Sequence, residues 1–260
     1  MFGGNTYWWA GLIVFLLFVG LNVAVFALKN KPELSYKIAY GIACFLVLYK
    51  TSEYIYWQAV GEHLKVPVEF SAVSYFLFGL TTVFRIKKLD ALGTFCGFLA
   101  GMFYSVASWV SPDSFVNSGL EESIFLFVMA IVNHHALYFG SVLMLANVRR
   151  FKIKESWWCI LFGVAVMIGY SWLMHLFTPY TELYGKLIFI RVTDGSILNY
   201  LFPTLVVTPL FTAIYLVVVS VVFIFLLLFF FSLNGLLAKK REERTGYNLS
   251  FPKKISFRKQ

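Results

Sequence analysis

The amino-acid sequence contains seven apolar runs, each long enough to cross a bilayer as a helix. They cover residues 7–28, 36–60, 66–84, 89–110, 123–147, 157–177 and 204–237. Because lipid offers no partner to a backbone N–H or C=O group, a spanning segment must satisfy its own backbone as a helix. Hydrophobic residues make up 60% of the chain and charged residues 13%, which excludes a soluble enzyme, a coiled coil and a disordered chain. We predict an all-α polytopic membrane protein, a seven-helix transmembrane bundle.

The basic residues are concentrated in alternate loops, and this predicts the orientation of the bundle. The first, third and fifth loops and the C-terminal tail hold 18 of the 22 Lys and Arg residues. Cytoplasmic loops carry such an excess, so we predict a multi-pass protein of the cell membrane with its N-terminus outside and its C-terminus cytoplasmic. Residues 1–238 then form a single transmembrane domain, and residues 239–260 form a basic tail attracted to anionic lipid. The net charge of +9 therefore needs no nucleic-acid partner.

Cysteine and histidine spacing indicates neither a metal site nor a cofactor, and we predict none. The three cysteines all lie in apolar runs and are expected to pack as small apolar side chains: Cys44, Cys96 and Cys159. The histidines lack the spacing of known metal-binding motifs. In the fourth run, Gly93, Gly97 and Gly101 recur every four residues, a pattern that favours close approach of a neighbouring helix.

Ionisable side chains inside membrane spans are costly, and they mark candidate functional positions. The spans hold Lys50, Glu53, Glu69, His134, His135 and His175. Helix rise places Glu69 about 5 Å below the outer surface, Lys50 about 15 Å and His134 about 16 Å, which predicts a cavity in the outer half of the bundle. Lys50 and Glu53 share a helix face because they are three residues apart. They form either an ion pair that holds helices together or a site where Lys50 binds an anionic headgroup or carboxylate.

Helical periodicity predicts which of these side chains face the bundle interior. On the fifth helix one narrow stripe contains Ser123, Ala130, His134, Tyr138 and Ser141. His135 is turned about 100° away, so His134 is the residue expected inside. On the third helix one face contains Ser71, Ser74, Tyr75, Phe78 and Thr82, with Glu69 nearly opposite and expected to extend to the interface. A buried histidine or membrane serine is often only structural, and that alternative stays open.

Four segments, in this order, resemble the YwaF-like integral membrane proteins. VPVEFSAVSYFLF (residues 66–78) resembles the start of a helix in which a pattern of the type LPLHLCDLS recurs. GTFCGFLAGMFYSVASWVSPD (93–113) resembles the Gly-rich helix and Pro-Asp loop of the family, and NHHALYFGSVLML (133–145) its helix with a central histidine. LNYLFPTLVVTP (198–209) resembles the Asn-Tyr segment before the last helix. A mammalian relative of the family is similar to acyltransferases that act on ether lysophospholipids.

The resemblance implies acyl transfer or hydrolysis on membrane phospholipid. The family's proposed catalytic cysteine matches Ser71 and its histidine matches His134, which implies Ser71 as nucleophile and His134 as general base. Glu69 and Ala72 stand where the family pattern has His and an acidic residue. The remaining predicted substrate-binding residues are Lys50, Glu53, Tyr138, Asn199 and Tyr200, the last two as oxyanion donors.

A non-enzymatic function is the alternative hypothesis. The chain would then be an accessory subunit of a larger membrane complex, with a membrane-protein partner, or a lipid- or solute-binding transporter. The sequence shows no internal repeat. Because many transporters are built from repeats, this observation disfavours the transporter alternative. The aromatic content of 20% offers ample surface for a partner.

Overall fold

The computed structural model describes residues 8–61, 66–67, 69–110, 112, 123–177 and 209–245. Within these ranges the regular secondary structure is helical throughout. Each predicted apolar run overlaps one α-helix. The helices are α1 (Trp8–Ala27), α2 (Pro32–Ala59), α3 (Phe70–Val83), α4 (Asp90–Val110), α5 (Ile124–Leu143), α6 (Ile153–Phe177) and α7 (Pro209–Thr245). A π-helical turn, Met144–Val148, continues α5.

Five of these helices are long and apolar enough to cross a membrane: α1, α4, α5 with its π turn, α6 and α7. The α3 helix is also apolar, but its 14 residues extend only about 21 Å, less than the hydrocarbon thickness of about 30 Å. The α2 helix has 28 residues and carries four charged side chains: Glu33, Lys37, Lys50 and Glu53. The all-helical prediction is confirmed for the described residues, and the chain is a helical membrane protein.

The starts of α2 and α3 each differ from the predicted bounds by four residues, and local backbone geometry explains both differences. Pro32 begins α2 four residues before the predicted start, because proline suits the first turn of a helix. The helix ends before Gly61, whose φ of +91° is readily available only to glycine. Glu69 has extended backbone angles (φ −68°, ψ 149°), so α3 begins only at Phe70. Glu69 is therefore the N-cap of α3 rather than part of the helix.

The α4 helix lies at the centre of the bundle and packs against α1, α3, α5 and α6. The predicted role of its glycine stripe is confirmed. A Cβ atom at Gly93 would meet α3 at Thr81, and one at Gly97 would meet α5 at Ser141. A Cβ atom at Gly101 would lie 2.9 Å from the carbonyl oxygen of His134. The glycines thus allow α4 to approach α3 on one side and the histidine-bearing part of α5 on the other.

Polar side chains hold the helices together at the end of the bundle where α5 stops. The sequence pattern does not reveal them. Asn234 of α7 is fully buried, and its Nδ2 donates to the carbonyl oxygens of Leu145 (2.7 Å) and Arg149 (2.8 Å). Its Oδ1 accepts from the backbone N–H of Phe151 at 2.8 Å. Arg149 also pairs with Asp90 at 3.0 Å. These contacts join α7, α4 and the π turn. They form a polar cluster at the end of the bundle opposite the α2–α3 connection.

Candidate functional site

Lys50 of α2 forms an ion pair with Glu53, one of the two roles expected for it. Its Nζ lies 2.6 Å from Oε2 of Glu53, and the two side chains are only 13% and 23% exposed. The same ammonium lies 4.8 Å from the centre of the Tyr75 ring on α3 and 5.7 Å from the centre of the Tyr49 ring. A carboxylate and two aromatic rings thus stabilise the Lys50 charge in largely apolar surroundings.

His134 is held between two tyrosine rings. The Tyr104 ring of α4 stacks on the imidazole, with centroids 3.8 Å apart and planes 8° apart. The Tyr75 ring meets it edge-on, with centroids 5.4 Å apart. Nδ1 of His134 lies 2.8 Å from the carbonyl oxygen of Ala130. Since a carbonyl can only accept, Nδ1 donates its proton there, and the neutral ring carries its lone pair on Nε2.

Glu69 lies outside the helix, which corrects the assumption that it occupies a face of α3 opposite Ser71. It precedes the helix in an extended conformation, so helical periodicity does not set its direction. Lys50 and Glu53 are close enough to interact electrostatically with the Glu69 carboxylate. The Glu69 side chain is exposed, so it lies at the edge of the polar site.

We define the Lys50–His134 cluster as Lys50, Glu53, Tyr75, Tyr104 and His134, which these contacts join, together with Glu69 and Ser71 at the start of α3. Its members come from α2, α3, α4 and α5 and from the residue that precedes α3. Tyr75 lies at its centre, 2% exposed, in contact with both Lys50 and His134. The Tyr75 hydroxyl makes no hydrogen bond to the residues that the structure describes. The sequence pattern correctly predicts that Tyr75 lies on the interior face of α3. It does not predict that Tyr75 is central to the cluster or that Tyr104 stacks on His134.

An open, largely apolar cleft of about 530 Å³ runs between α2 and α3 next to this cluster. It is lined by Thr51, Tyr54, Ile55, Gln58, Val66, Pro67 and Phe76. The Tyr54 and Phe76 rings lie 6.1 Å apart across the two helices. Thr51 and Tyr54 of the cleft wall directly follow Lys50 and Glu53 on α2, so the cleft adjoins the cluster. Its volume falls in the range of small-molecule sites.

Three further predicted site residues have other outcomes. The hydroxyl of Tyr138 donates to Oδ1 of Asn22 on α1 at 3.0 Å, and Tyr138 is only 4% exposed. That hydroxyl is already engaged in helix packing, so we place Tyr138 outside the proposed site. Asn199 and Tyr200 lie outside the described residues.

The expectation that His135 faces away from the interior is wrong. His135 is 5% exposed, and its ring lies edge-on to Tyr104 with centroids 6.0 Å apart. The physical reason is that α1 packs against both α4 and α5 and covers the second face of α5. His135 is consequently buried and His134 is half-buried, whereas periodicity alone could assign only one interior face.

The described residues contain no group of three or more His, Cys, Asp or Glu side chains placed to hold a metal ion. Comparison with family models, with curated proteins and with solved structures found no match to this chain.

Proposed function

We propose that this chain is a YwaF-like multi-pass protein of the cell membrane that acts on membrane phospholipid, by acyl transfer or hydrolysis, from the outer half of its bundle. The observation that carries the proposal is the Lys50–His134 cluster beside the α2–α3 cleft. A phospholipid combines an anionic phosphate with apolar chains. Lys50 supplies an ammonium within the cluster, and the cleft supplies apolar walls for an acyl chain.

The nucleophile of this proposal is Ser71. A serine hydroxyl is a weak nucleophile unless a neighbouring group takes its proton. The base of this proposal is His134, and the helix that carries Ser71 also presents Tyr75 to the His134 ring. The family resemblance supports the same two positions, Ser71 and His134, from the sequence side.

The activity is tested with the purified chain in phospholipid nanodiscs that contain a labelled acyl donor. We expect transfer of the label to a lysophospholipid or release of the labelled acid, and we expect Ser71→Ala to abolish both. Ser74→Ala is the matched control, because the Ser74 hydroxyl donates to the Phe70 carbonyl at 2.6 Å within the same helix. A wild-type protein without turnover on any phospholipid class tried would contradict the proposal. A stoichiometric co-purifying membrane protein would then favour the accessory-subunit alternative.

The proposed topology has seven spans, with the N-terminus outside and the C-terminus cytoplasmic. It makes α2 and α3 spanning elements despite the charges of α2 and the short length of α3. Reporter domains inserted between α4 and α5, in residues 111–122, and fused after Leu237 should report opposite sides of the membrane. Reporters on the same side would rule out this topology.

A further inference from the structure

Two buried polar atoms at the Lys50–His134 cluster have no hydrogen-bond partner among the described residues. One is the hydroxyl of Tyr75 on α3, a residue that is 2% exposed. The other is Oδ1 of Asn133 on α5, a residue that is 1% exposed. Buried polar groups nearly always have partners, because an unpaired one has lost its water and gained nothing in return. Each of these two atoms therefore calls for a partner.

Tyr75 and Asn133 lie at the same depth in the bundle. The α3 and α5 helices run in the same direction, because both are antiparallel to α4 along its glycine stripe. A Cβ atom at Gly140 would lie 2.9 Å from the Phe78 ring, so these two residues are level. Asn133 precedes Gly140 by two turns, and Tyr75 precedes Phe78 by about one turn, with its ring leaning further in the same direction. The ring contact of Tyr75 with His134, the neighbour of Asn133, supports this register.

The third helix at this depth is α2. A Cβ atom at Gly140 would also lie 3.1 Å from Cγ2 of Ile42, and Lys50 follows Ile42 by about two turns. Since α2 runs opposite to α5, these two turns lead to the depth of Asn133. The Lys50 ammonium accordingly lies 4.8 Å from the centre of the Tyr75 ring. An ammonium, a phenol hydroxyl and an amide oxygen thus come together where α2, α3 and α5 meet, which we call the α2–α3–α5 junction.

The two unpaired atoms differ in what they need. An amide oxygen only accepts a hydrogen bond, whereas a phenol hydroxyl can donate one. A hydroxyl group satisfies both atoms at once, because its oxygen accepts from Tyr75 while its proton goes to Asn133. An anionic oxygen brings no proton for Asn133, and a cationic group would be repelled by the Lys50 ammonium beside the Tyr75 ring. The junction is therefore matched to a neutral group that both donates and accepts.

We propose that the α2–α3–α5 junction binds one hydroxyl group between the Tyr75 hydroxyl and Oδ1 of Asn133. The hydroxyl belongs either to an ordered water molecule or to the alcohol of a glycerol headgroup, whose anionic phosphate the Lys50 ammonium would attract. Neither Ser71 nor His134 has to be reactive for this binding. Failure of the proposed lipid chemistry would therefore leave the site intact, and loss of the site would leave that chemistry to its own test.

The sign of a change in melting temperature tests the site, because Tyr75→Phe removes the hydroxyl and keeps the ring. The full chain is melted in detergent alone and with added phospholipid. If a bound hydroxyl accepts from Tyr75, the variant loses a hydrogen bond and should melt about 2–4 °C lower than wild type. If the Tyr75 hydroxyl has no partner, its removal relieves a buried unpaired group, and the variant should melt at or above the wild-type temperature.

A double-mutant cycle tests whether the same hydroxyl bridges both residues. Asn133→Leu has a similar shape and removes the acceptor. With one shared hydroxyl, the double variant Tyr75→Phe with Asn133→Leu should lose less than the sum of the two single losses. Additive losses would mean that the two residues do not hold a common group.

Two further tyrosines calibrate the measurement. Tyr138→Phe removes a hydroxyl that donates to Oδ1 of Asn22 at 3.0 Å, so it gives the shift expected for one lost hydrogen bond. Tyr56→Phe removes a hydroxyl from a residue that is 59% exposed and should leave the melting temperature unchanged.

Two phospholipids with the same acyl chains distinguish the sources of the hydroxyl. Phosphatidylglycerol has headgroup alcohols, whereas phosphatidylmethanol carries the same phosphodiester charge without them. A larger stabilisation of wild type by phosphatidylglycerol, lost in Tyr75→Phe and in Asn133→Leu, assigns the hydroxyl to the lipid. Equal stabilisation by both lipids, with Tyr75→Phe already less stable in detergent alone, assigns it to water. A Tyr75→Phe variant that melts at or above wild type in all three media would overturn the site.

Discussion

Replacing Lys50 with Met is expected to lower the free energy of unfolding by about 3–5 kcal/mol, the typical cost of breaking a buried ion pair from one side. The reason is that Glu53, now 2.6 Å from the ammonium and 23% exposed, would keep a carboxylate without its partner. The aromatic contact of the ammonium with Tyr75 is lost as well. Denaturant unfolding of the purified chain in detergent micelles measures the change.

The control for this substitution is a second pair with the same spacing. Lys152 and Glu155 are also three residues apart, with 3.0 Å between Nζ and Oε1, but both side chains are 68% exposed. Lys152→Met should change stability little, because exposed pairs contribute little. If Lys50→Met unfolds at the wild-type denaturant concentration, the pair does not stabilise the bundle.

The double variant Lys50→Met with Glu53→Met distinguishes the two interpretations of the pair. Replacing both charges with apolar side chains of similar length should restore most of the lost stability, since no uncompensated charge remains. If Lys50 only holds helices together, the double variant should still bind and turn over phospholipid. If Lys50 also binds the lipid headgroup, the double variant should be stable and inactive.

The helices were predictable from sequence because the bilayer imposes both their length and their hydrogen bonding. Apolar run length alone therefore locates α1, α4 and α6 to within a few residues. The start of α3 is harder, because it depends on the backbone angles at Glu69 rather than on hydrophobicity. That one boundary determines whether Glu69 belongs to a face of α3 at all, so a small error in helix length removes the basis for assigning its direction.

The surroundings of His134 were not predictable, because they depend on how three helices pack. Periodicity on α5 identifies a polar stripe, but the two tyrosines that enclose the imidazole come from α3 and α4. Asn234 presents the same difficulty, since its partners at Leu145 and Arg149 lie more than 80 positions away in sequence. A single sequence indicates which face of each helix is buried. It does not indicate the rotation and depth at which two helices pack against each other.

Gly101→Ala is expected to destabilise the protein by about 1–3 kcal/mol, the usual cost of overpacking a well-packed interior, and to disturb the site at a distance. The added Cβ would lie 2.8 Å from Cα of Tyr138 and 2.9 Å from the carbonyl oxygen of His134. Both are backbone atoms of α5, so no side-chain rotation relieves the overlap, and α4 must move away from α5. Because Tyr104 is on α4 and His134 on α5, that movement opens their stack.

Thermal unfolding in detergent should therefore show a lower midpoint for Gly101→Ala. Labelling of Ser71 by an alkyl fluorophosphonate, a probe that reacts with activated serines, should slow although no residue of the cluster has been changed. Gly169→Ala on α6 is the matched control, because a Cβ there meets no atom within 4 Å and alanine favours the helix over glycine. It should melt at or slightly above the wild-type temperature.

A normal melting temperature of Gly101→Ala with slow labelling of Ser71 would mean that the α4–α5 contact sets the geometry of the site without contributing to stability. Normal values of both for Gly101→Ala would show that the two helices are not packed as closely as the glycine stripe requires.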